Sequence, residues 1–263
     1  MSDKAPLLVE RDGAVTTLVI NDAPWNRMSA AFVDTLLTEI ERIDADDSAR
    51  AVVIRGAGDE HFSVGMDLKQ LEAGLAAAGG LDAFFDQRLA VLERIERLGK
   101  PVIAVLCGYC LGGGLELPLA CHFRLAAAEG TRLGLPELDL GTVPAWGGSA
   151  RLVRLVGRAH ALDMILRSRL VDAPEAHRIG LVTEVWPRAE LFERANALAR
   201  QLAERPALAV RQMLQCLVEH DTTPLADGLD AERRAVKATY RTPDMLEGMR
   251  AFAEKRKPRF NPG

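Results

Sequence analysis

A strand-like run that passes within six residues into three consecutive glycines constrains this chain more than any other feature. Pro101-Val102-Ile103-Ala104-Val105-Leu106 has the length and β-branched content of a buried strand. It leads through Cys107-Gly108-Tyr109-Cys110-Leu111 into Gly112-Gly113-Gly114. Without a Cβ, these residues let the backbone turn tightly and approach a ligand closely. A helix opening there aims unpaired N–H groups and the positive end of its dipole at that ligand. Glu116 follows inside an otherwise apolar stretch, Leu115 to Ala120. An oxyanion binder with an acid or base beside it is the chemistry this pattern supports, and it points to an enzyme.

The rest of the composition limits the alternatives. The 263 residues suffice for one large domain or a main domain with an appendage, and 48% hydrophobic with 27% charged residues is ordinary for a protein with a sizeable core. A net charge of −4 and a pI near 5.8 argue against nucleic acid as the main partner. The start, Met1 to Pro6, carries no apolar signal region, and no run reaches membrane-spanning length, so no membrane partner is expected. Four cysteines (Cys107, Cys110, Cys121, Cys216) lack disulfide-framework spacing, which fits a reducing cytoplasm. The five histidines show no metal-ligand spacing, and His61 reads as an exposed turn residue.

Along the chain, Leu7–Glu10 and Val15–Ile20 read as a hairpin, with Asp12-Gly13 supplying positive φ angles. Ser29 is a plausible N-cap for a helix whose apolar positions run from Phe32 to Ile43. A strand at Ala51–Ile54 follows, and residues 73–80, rich in alanine and glycine, read as a surface connection rather than a lid. A helix from about Asp82 to Leu98, the strand at 101–106 and a short strand at His122–Ala127 come next, then irregular chain to about Gly148. Beyond Trp186 the pattern is helical to about Lys257, with Pro206, Pro224 and Pro243 where helices begin.

Two further stretches complete a site. Phe62-Ser63-Val64-Gly65-Met66-Asp67-Leu68 offers a second backbone N–H that can converge with the glycine turn on one carbonyl oxygen. Leu133-Gly134-Leu135-Pro136-Glu137 supplies a second carboxylate about twenty positions after Glu116. Two carboxylates at one enolate can divide labour, one deprotonating water and the other exchanging a proton with the adjacent carbon. Apolar neighbours would raise the pKa of both. The structural alternatives are a turn carboxylate for Glu137 and a solvated helix residue for Glu116. In Gly141–Leu152, glycines and Pro144 bend the chain around a pocket, Ser149 can cap the next helix, and Trp146 reads as a pocket wall.

These residues resemble the enoyl-CoA hydratase/isomerase, or crotonase, superfamily over nearly the whole chain. The likeness runs from Trp25-Asn26-Arg27-Met28-Ser29 through FSVGMDL, GYCLGGGLEL, PEL and GTVPAWGG to FAEKRKPRF. It implies an α/β fold, a crotonase-like spiral of ββα units with a helical C-terminal trimerisation region. Residues 1–200 would form the catalytic core and 201–263 the oligomerisation region of a homotrimer or a dimer of trimers. By resemblance, Met66 N–H and Gly113 N–H form an oxyanion hole, Glu116 holds water and Glu137 serves the α-carbon. Possession of both carboxylates points to hydration of a 2-enoyl-CoA. Trp25, Asn26, Arg27, Val64, Asp67, Leu68, Gly112, Pro136, Thr142, Trp146 and Lys255 would contact the acyl-CoA thioester. No cofactor is implied beyond the coenzyme A carried by the substrate.

Several positions depart from the family pattern. Met66 and Trp146 stand where small residues are usual and would narrow the pocket, and Arg27 can reach a phosphate. Pro118 gives up a helix hydrogen bond unless it lies in the first turn, and His122 replaces the usual aspartate. Related reactions share the enolate and differ in its fate: isomerisation, decarboxylation or thioester hydrolysis. A different class, a hydrolase with Cys110 as nucleophile in a strand–turn–helix elbow, would need Asp172 with His177 or His220. It explains neither FSVGMDL nor Leu-Pro-Glu. An RNA-binding or scaffold role is disfavoured by the acidic residues of the 29–47 helix.

Overall fold

The computed structural model describes residues 4–220 and 223–260. Strands β1 (Leu7–Asp12) and β2 (Val15–Ile20) form the expected antiparallel hairpin, with Asp12 opposite Val15. Asp12 still belongs to the strand, so Gly13 alone carries the positive φ, at 57°. Helix α1 (Ala30–Ala45) begins where expected: Ser29 Oγ accepts the Phe32 N–H at 3.1 Å. Strand β3 (Ala51–Gly56) then returns parallel to β2.

Residues 73–80 are not a loose connection. Helix α2 (Leu71–Ala78) ends on Gly79 in the left-handed region, and α3 (Leu81–Glu96) starts directly after Gly80. The alanines favour helix and the two glycines merely stop it. Gly74 is required inside α2 because a Cβ there would lie 2.8 Å from the Phe84 ring of α3.

Strand β4 (Val102–Leu106) is the buried centre, followed by β5 (Tyr109–Leu111), α4 (Gly113–Leu119), β6 (Phe123–Ala127) and β7 (Arg132–Gly134). The stretch expected to be irregular therefore contains β7 and a 3₁₀ turn at Glu137–Leu140. A three-residue strand is too short to show a period. Then come α5 (Gly148–Leu166), α6 (Ala173–Arg178), β8 (Glu184–Trp186) and α7 (Arg188–Ala203). Helices α8 (Ala207–His220), α9 (Leu225–Thr239) and α10 (Pro243–Ala253) complete the described chain, with Pro206, Pro224 and Pro243 at or just before their first residues.

Among the described residues, six strands form the main sheet in the order β1-β2-β3-β4-β6-β8, parallel except for the β1–β2 pair. Its central strands are buried on both faces, which is why they read as continuous apolar runs. Alternate residues divide between two cores. Val52, Ile54, Val102, Ala104 and Leu106 face α1, α3 and α4; Val53, Ile103 and Val105 face Leu191, Ala195 and Ala199 of α7.

A second, minor ladder gives the chain its spiral. Met28 bridges Met66, Ser63 bridges Cys110, β5 pairs with β7, and Leu133 bridges Val171. Successive turns of chain thus place one strand in the main sheet, a short strand in this ladder and a helix outside them. Gly114 is where α4 meets the ladder: a Cβ there would lie 2.3 Å from the Ser63 carbonyl oxygen.

Pro118 lies in the second turn of α4, not the first, so its missing N–H leaves the Gly114 carbonyl without its helical donor. The Cys110 thiol supplies a substitute, donating to Gly114 O at 3.1 Å. His122 also has a structural role. Its Nδ1 accepts the Val102 N–H at 2.9 Å and its Nε2 lies 3.2 Å from Glu96 O, so the ring is neutral with the proton on Nε2. Burial pushes its pKa down to about 4.

On the C-terminal helices, Met213, Leu217, Leu229, Val236, Met249 and Phe252 are exposed. No helix among the described residues is long and apolar enough to cross a membrane. The Gly114 contact makes a direct prediction. Gly114→Ala should destabilise the protein by about 1–3 kcal/mol through overpacking, read as a lower urea midpoint at unchanged slope.

Candidate active site

The glycine turn is built to be approached. Gly112 precedes α4 with φ 54° and ψ −129°, a conformation that only glycine adopts readily, and donates its N–H to Gly134 O at 3.0 Å. Gly113 opens the helix. From the neighbouring loop comes Gly65, whose own Cβ would lie 3.3 Å from Gly113 N and 2.8 Å from Leu111 O. The next amide after Gly65 is that of Met66. In the Met28–Met66 bridge, Met28 N–H donates to Gly65 O and Asp67 N–H to Met28 O, so the ladder does not consume the Met66 N–H. The Gly65–Met66 loop therefore packs against the start of α4, where the helix's positive dipole end lies.

Glu116 lies one turn into α4 and is 2% exposed. Its Oε1 accepts two backbone N–H bonds, from Trp146 and Gly148, each at 2.8 Å. A Cβ at Gly148 would fall 2.7 Å from that same oxygen, so glycine permits the clamp. Despite those bonds, burial dominates and raises its pKa to about 7, with the charge of Glu137 pushing the same way. Glu116 is therefore not a solvated helix residue.

Glu137 lies against Gly112 of the turn. A Cβ at Gly112 would meet its Oε1 at 3.0 Å, and its Oε2 is buried without a hydrogen-bond partner. Burial raises its pKa as well. It begins the Glu137–Leu140 turn, but its carboxyl is aimed at the glycines rather than spent on a cap.

Trp146 is the expected wall. Its ring lies against Gly113, where a Cβ would come within 2.9 Å of the six-membered ring. Its carbonyl is fixed by Arg151 Nη1 at 3.0 Å, and Arg151 pairs with Glu96 at 2.8 Å. Ser149 does not cap the following helix; Gly147 (φ 88°) does, one residue before the first helical position. The early start is what lets Gly148 N–H reach Glu116.

The other expected contact residues divide. Pro136 opens the Glu137 turn, and Thr142 N–H donates to Glu137 O at 3.1 Å with its side chain exposed. Val64 N–H donates to Trp25 O, tying the two loops together. Asp67 caps the short turn Leu68–Gln70 and Leu68 is exposed. Trp25 is half exposed and stacks on His61 at 4.9 Å, which in turn meets Tyr109. His61 is consequently no exposed turn residue: it is half-buried, and its Nδ1 accepts the Tyr109 N–H at 3.1 Å.

Asn26 is a correction. It is fully buried, with φ 50°, and its amide donates to Ala57 O and His61 O, so it shapes the loop instead of facing a substrate. Arg27 is paired with Asp22 at 2.7 Å. Lys255 is exposed just beyond α10, and no hydrogen bond or ion pair among the described residues joins it to the site.

The nucleophile elbow is not formed. Cys110 is buried inside β5, and burial drives its thiol well above the usual range. Asp172 caps α6 and His177 Nδ1 faces Val182 O; the side chain of His220 lies outside the described residues. Sequence reasoning missed one residue near the site, Arg88, although Phe84, Val91, Leu92 and Ile95 place it on the apolar stripe of α3.

The family model described as enoyl-CoA hydratase/isomerase matches residues 10–262. The "Probable enoyl-CoA hydratase" of Bacillus subtilis is 36% identical over 250 residues, 95% of this chain and 96% of the relative. The "Probable enoyl-CoA hydratase 2, mitochondrial" of Arabidopsis thaliana is 36% identical over 98% of this chain and 82% of its own. Among solved structures, an enoyl-CoA hydratase from Bacillus anthracis superposes with TM-score 0.91 at 35% identity, covering 97% of this chain and 98% of its own. Pseudomonas aeruginosa DspI superposes with TM-score 0.92 at 32% identity, covering 99% and 98%.

The raised pKa of Glu116 has a signature in stability. Its folded-state value near 7 lies above the ordinary 4.5, so its contribution is complete below about pH 4.5 and is lost as pH rises through 7. About 3 kcal/mol is at stake between those limits, from roughly 1.4 kcal/mol per pH unit. Glu116→Gln should flatten the fall in unfolding free energy between pH 5 and 8, measured by urea titration at each pH.

Proposed function

The chain belongs to the enoyl-CoA hydratase/isomerase family, and from that premise we propose that it adds water reversibly to the double bond of a 2-enoyl-CoA. The observation that carries the reading is a pair of carboxylates with raised pKa near the glycine turn, the buried Glu116 and the half-buried Glu137. An isomerisation or hydrolysis needs fewer such groups at one enolate.

In the proposed reaction the thioester oxygen sits between the Met66 and Gly113 amides, which stabilise the negative charge that develops there. Glu116, held by Oε1, takes a proton from water as the oxygen bonds to the β-carbon. Glu137 in its protonated form, which its burial favours, gives its proton to the α-carbon as the enolate collapses. The spent protons then exchange between the two carboxyls through solvent, restoring the starting state. Coenzyme A is part of the substrate in this reading, and no further cofactor takes part.

Trp146 narrows the space beside Gly113 and favours a short acyl group. The exposed apolar residues of α8, α9 and α10 support a homotrimer or dimer of trimers, with residues 201–263 as its interface. The names of the relatives, enoyl-CoA hydratases in a bacterium and a mitochondrion, support the reaction class without fixing the compartment of this protein.

The test is loss of the conjugated thioester absorbance of crotonyl-CoA. Glu116→Gln and Glu137→Gln should each lower kcat by about 10²–10⁴-fold while CoA binding persists. Wild-type kcat/KM should rise with pH toward about 7 as Glu116 ionises. Full turnover in either variant would remove hydration by this pair. Gly113→Pro is a less clean probe of the oxyanion amides, because added ring atoms would press on Trp146.

A further inference from the structure

Helix α3 carries a cation where its apolar face meets the core. Arg88 is 3% exposed and lines a narrow cavity with Phe32, Val33, Leu36, Leu117 and Trp146. Its guanidinium lies 3.2 Å from the centre of the Phe84 ring and 5.6 Å from that of Trp146. Nη1 donates to the Phe84 carbonyl at 2.7 Å, and Nε is buried with no partner. Arg88 enters no ion pair among the described residues, although carboxylates pair with Arg151, Arg169 and Arg256 elsewhere in the chain. The carboxylate whose charge acts on it, Asp34, is engaged by Gln87 instead.

A buried charge without a counter-ion is unfavourable, and an unmade guanidinium hydrogen bond adds to that cost. Apolar replacement would fill the same space more favourably. Trp146 packs against Gly113 and its ring centre lies 5.6 Å from the Arg88 guanidinium, with both side chains lining one cavity, so the cation lies near the glycine turn.

We propose that Arg88 is a specificity-determining residue that receives the distal carboxylate of a short dicarboxylic acyl-CoA. This rests on the thioester reading of the site given above. A planar guanidinium with a free Nε–H matches a carboxylate, which would supply both the missing hydrogen bond and the missing charge. The Phe84 ring and carbonyl hold the guanidinium in place, and the apolar lining lowers the local dielectric around the pair. Neutral acyl chains of the same length would leave the cation unmatched.

Saturated thioesters test this apart from turnover, since they cannot be hydrated. Calorimetric titration should give glutaryl-CoA a Kd about tenfold or more below that of pentanoyl-CoA, as expected for a charge-assisted hydrogen bond. Arg88→Met should erase the difference by weakening glutaryl-CoA alone, and Arg88→Lys should restore part of it. Equal affinities in the wild type, tighter pentanoyl-CoA, or a preference unchanged in Arg88→Met would overturn the assignment. If Arg88→Met does not fold, the wild-type ratio alone decides. Failure to hydrate crotonyl-CoA would sink hydration but leave this binding comparison intact. Binding of neither thioester would sink the thioester reading and this proposal together.

Discussion

Backbone meets backbone at the start of α4 at distances that leave no room for a Cβ. Added carbons would fall 2.3 Å from Ser63 O at Gly114, 2.8 Å from Leu111 O at Gly65 and 2.9 Å from the Trp146 ring at Gly113. Every other part of the site is positioned by that closeness. Because α4 sits flush against the minor ladder, the Gly65–Met66 loop packs against the start of α4. Because Gly113 has no side chain, Trp146 can lie over it, and its backbone can reach down to Glu116. Gly112, with positive φ and no Cβ, leaves room for the Glu137 carboxyl against the turn.

Burial of Glu116 shows how a fold keeps a base poised near neutrality. Desolvation alone would push the carboxyl further up, while two amide donors to one oxygen pull it back, and the balance falls at about 7. One of the donors belongs to Trp146, whose carbonyl is held by Arg151 of the Arg151–Glu96 pair. An ion pair two contacts away is thus part of what sets the proton affinity at the centre. The molecule accepts a loss of stability at neutral pH to hold this group in place, an exchange common at functional sites.

Much of this was legible beforehand for identifiable reasons. Period and composition exposed β2, β3, β4 and α1, since their side chains alternate or repeat over enough residues to count. The glycines, Glu116, Glu137 and Trp146 stood out because each breaks the pattern around it. The short β5 and β7 were invisible because three residues have no period, and α2 was hidden by the glycines that end it. Asn26 and His61 were misread because their bonds run to Ala57, Tyr109 and each other across sequence gaps that local pattern cannot span. Arg88 was in view all along, one turn after Phe84 on the same stripe. A charge on an apolar helical face is the kind of local contradiction that marks a functional position.

The carboxylates and amides are carried by β-ladder loops and by α4, all locked into the sheet, whereas Phe84 and Arg88 ride on α3, introduced by α2 and the Gly79–Gly80 joint. On the proposed reading, the proton-transfer carboxylates and the Arg88 contact come from separate stretches of chain that meet at Trp146. Mutation along α3 can change the Arg88 side of that contact while the carboxylates stay on their own elements. A fold divided in this way is evolvable in one direction: new substrates are reached through the helical hairpin, and the reaction itself is inherited with the glycine turn.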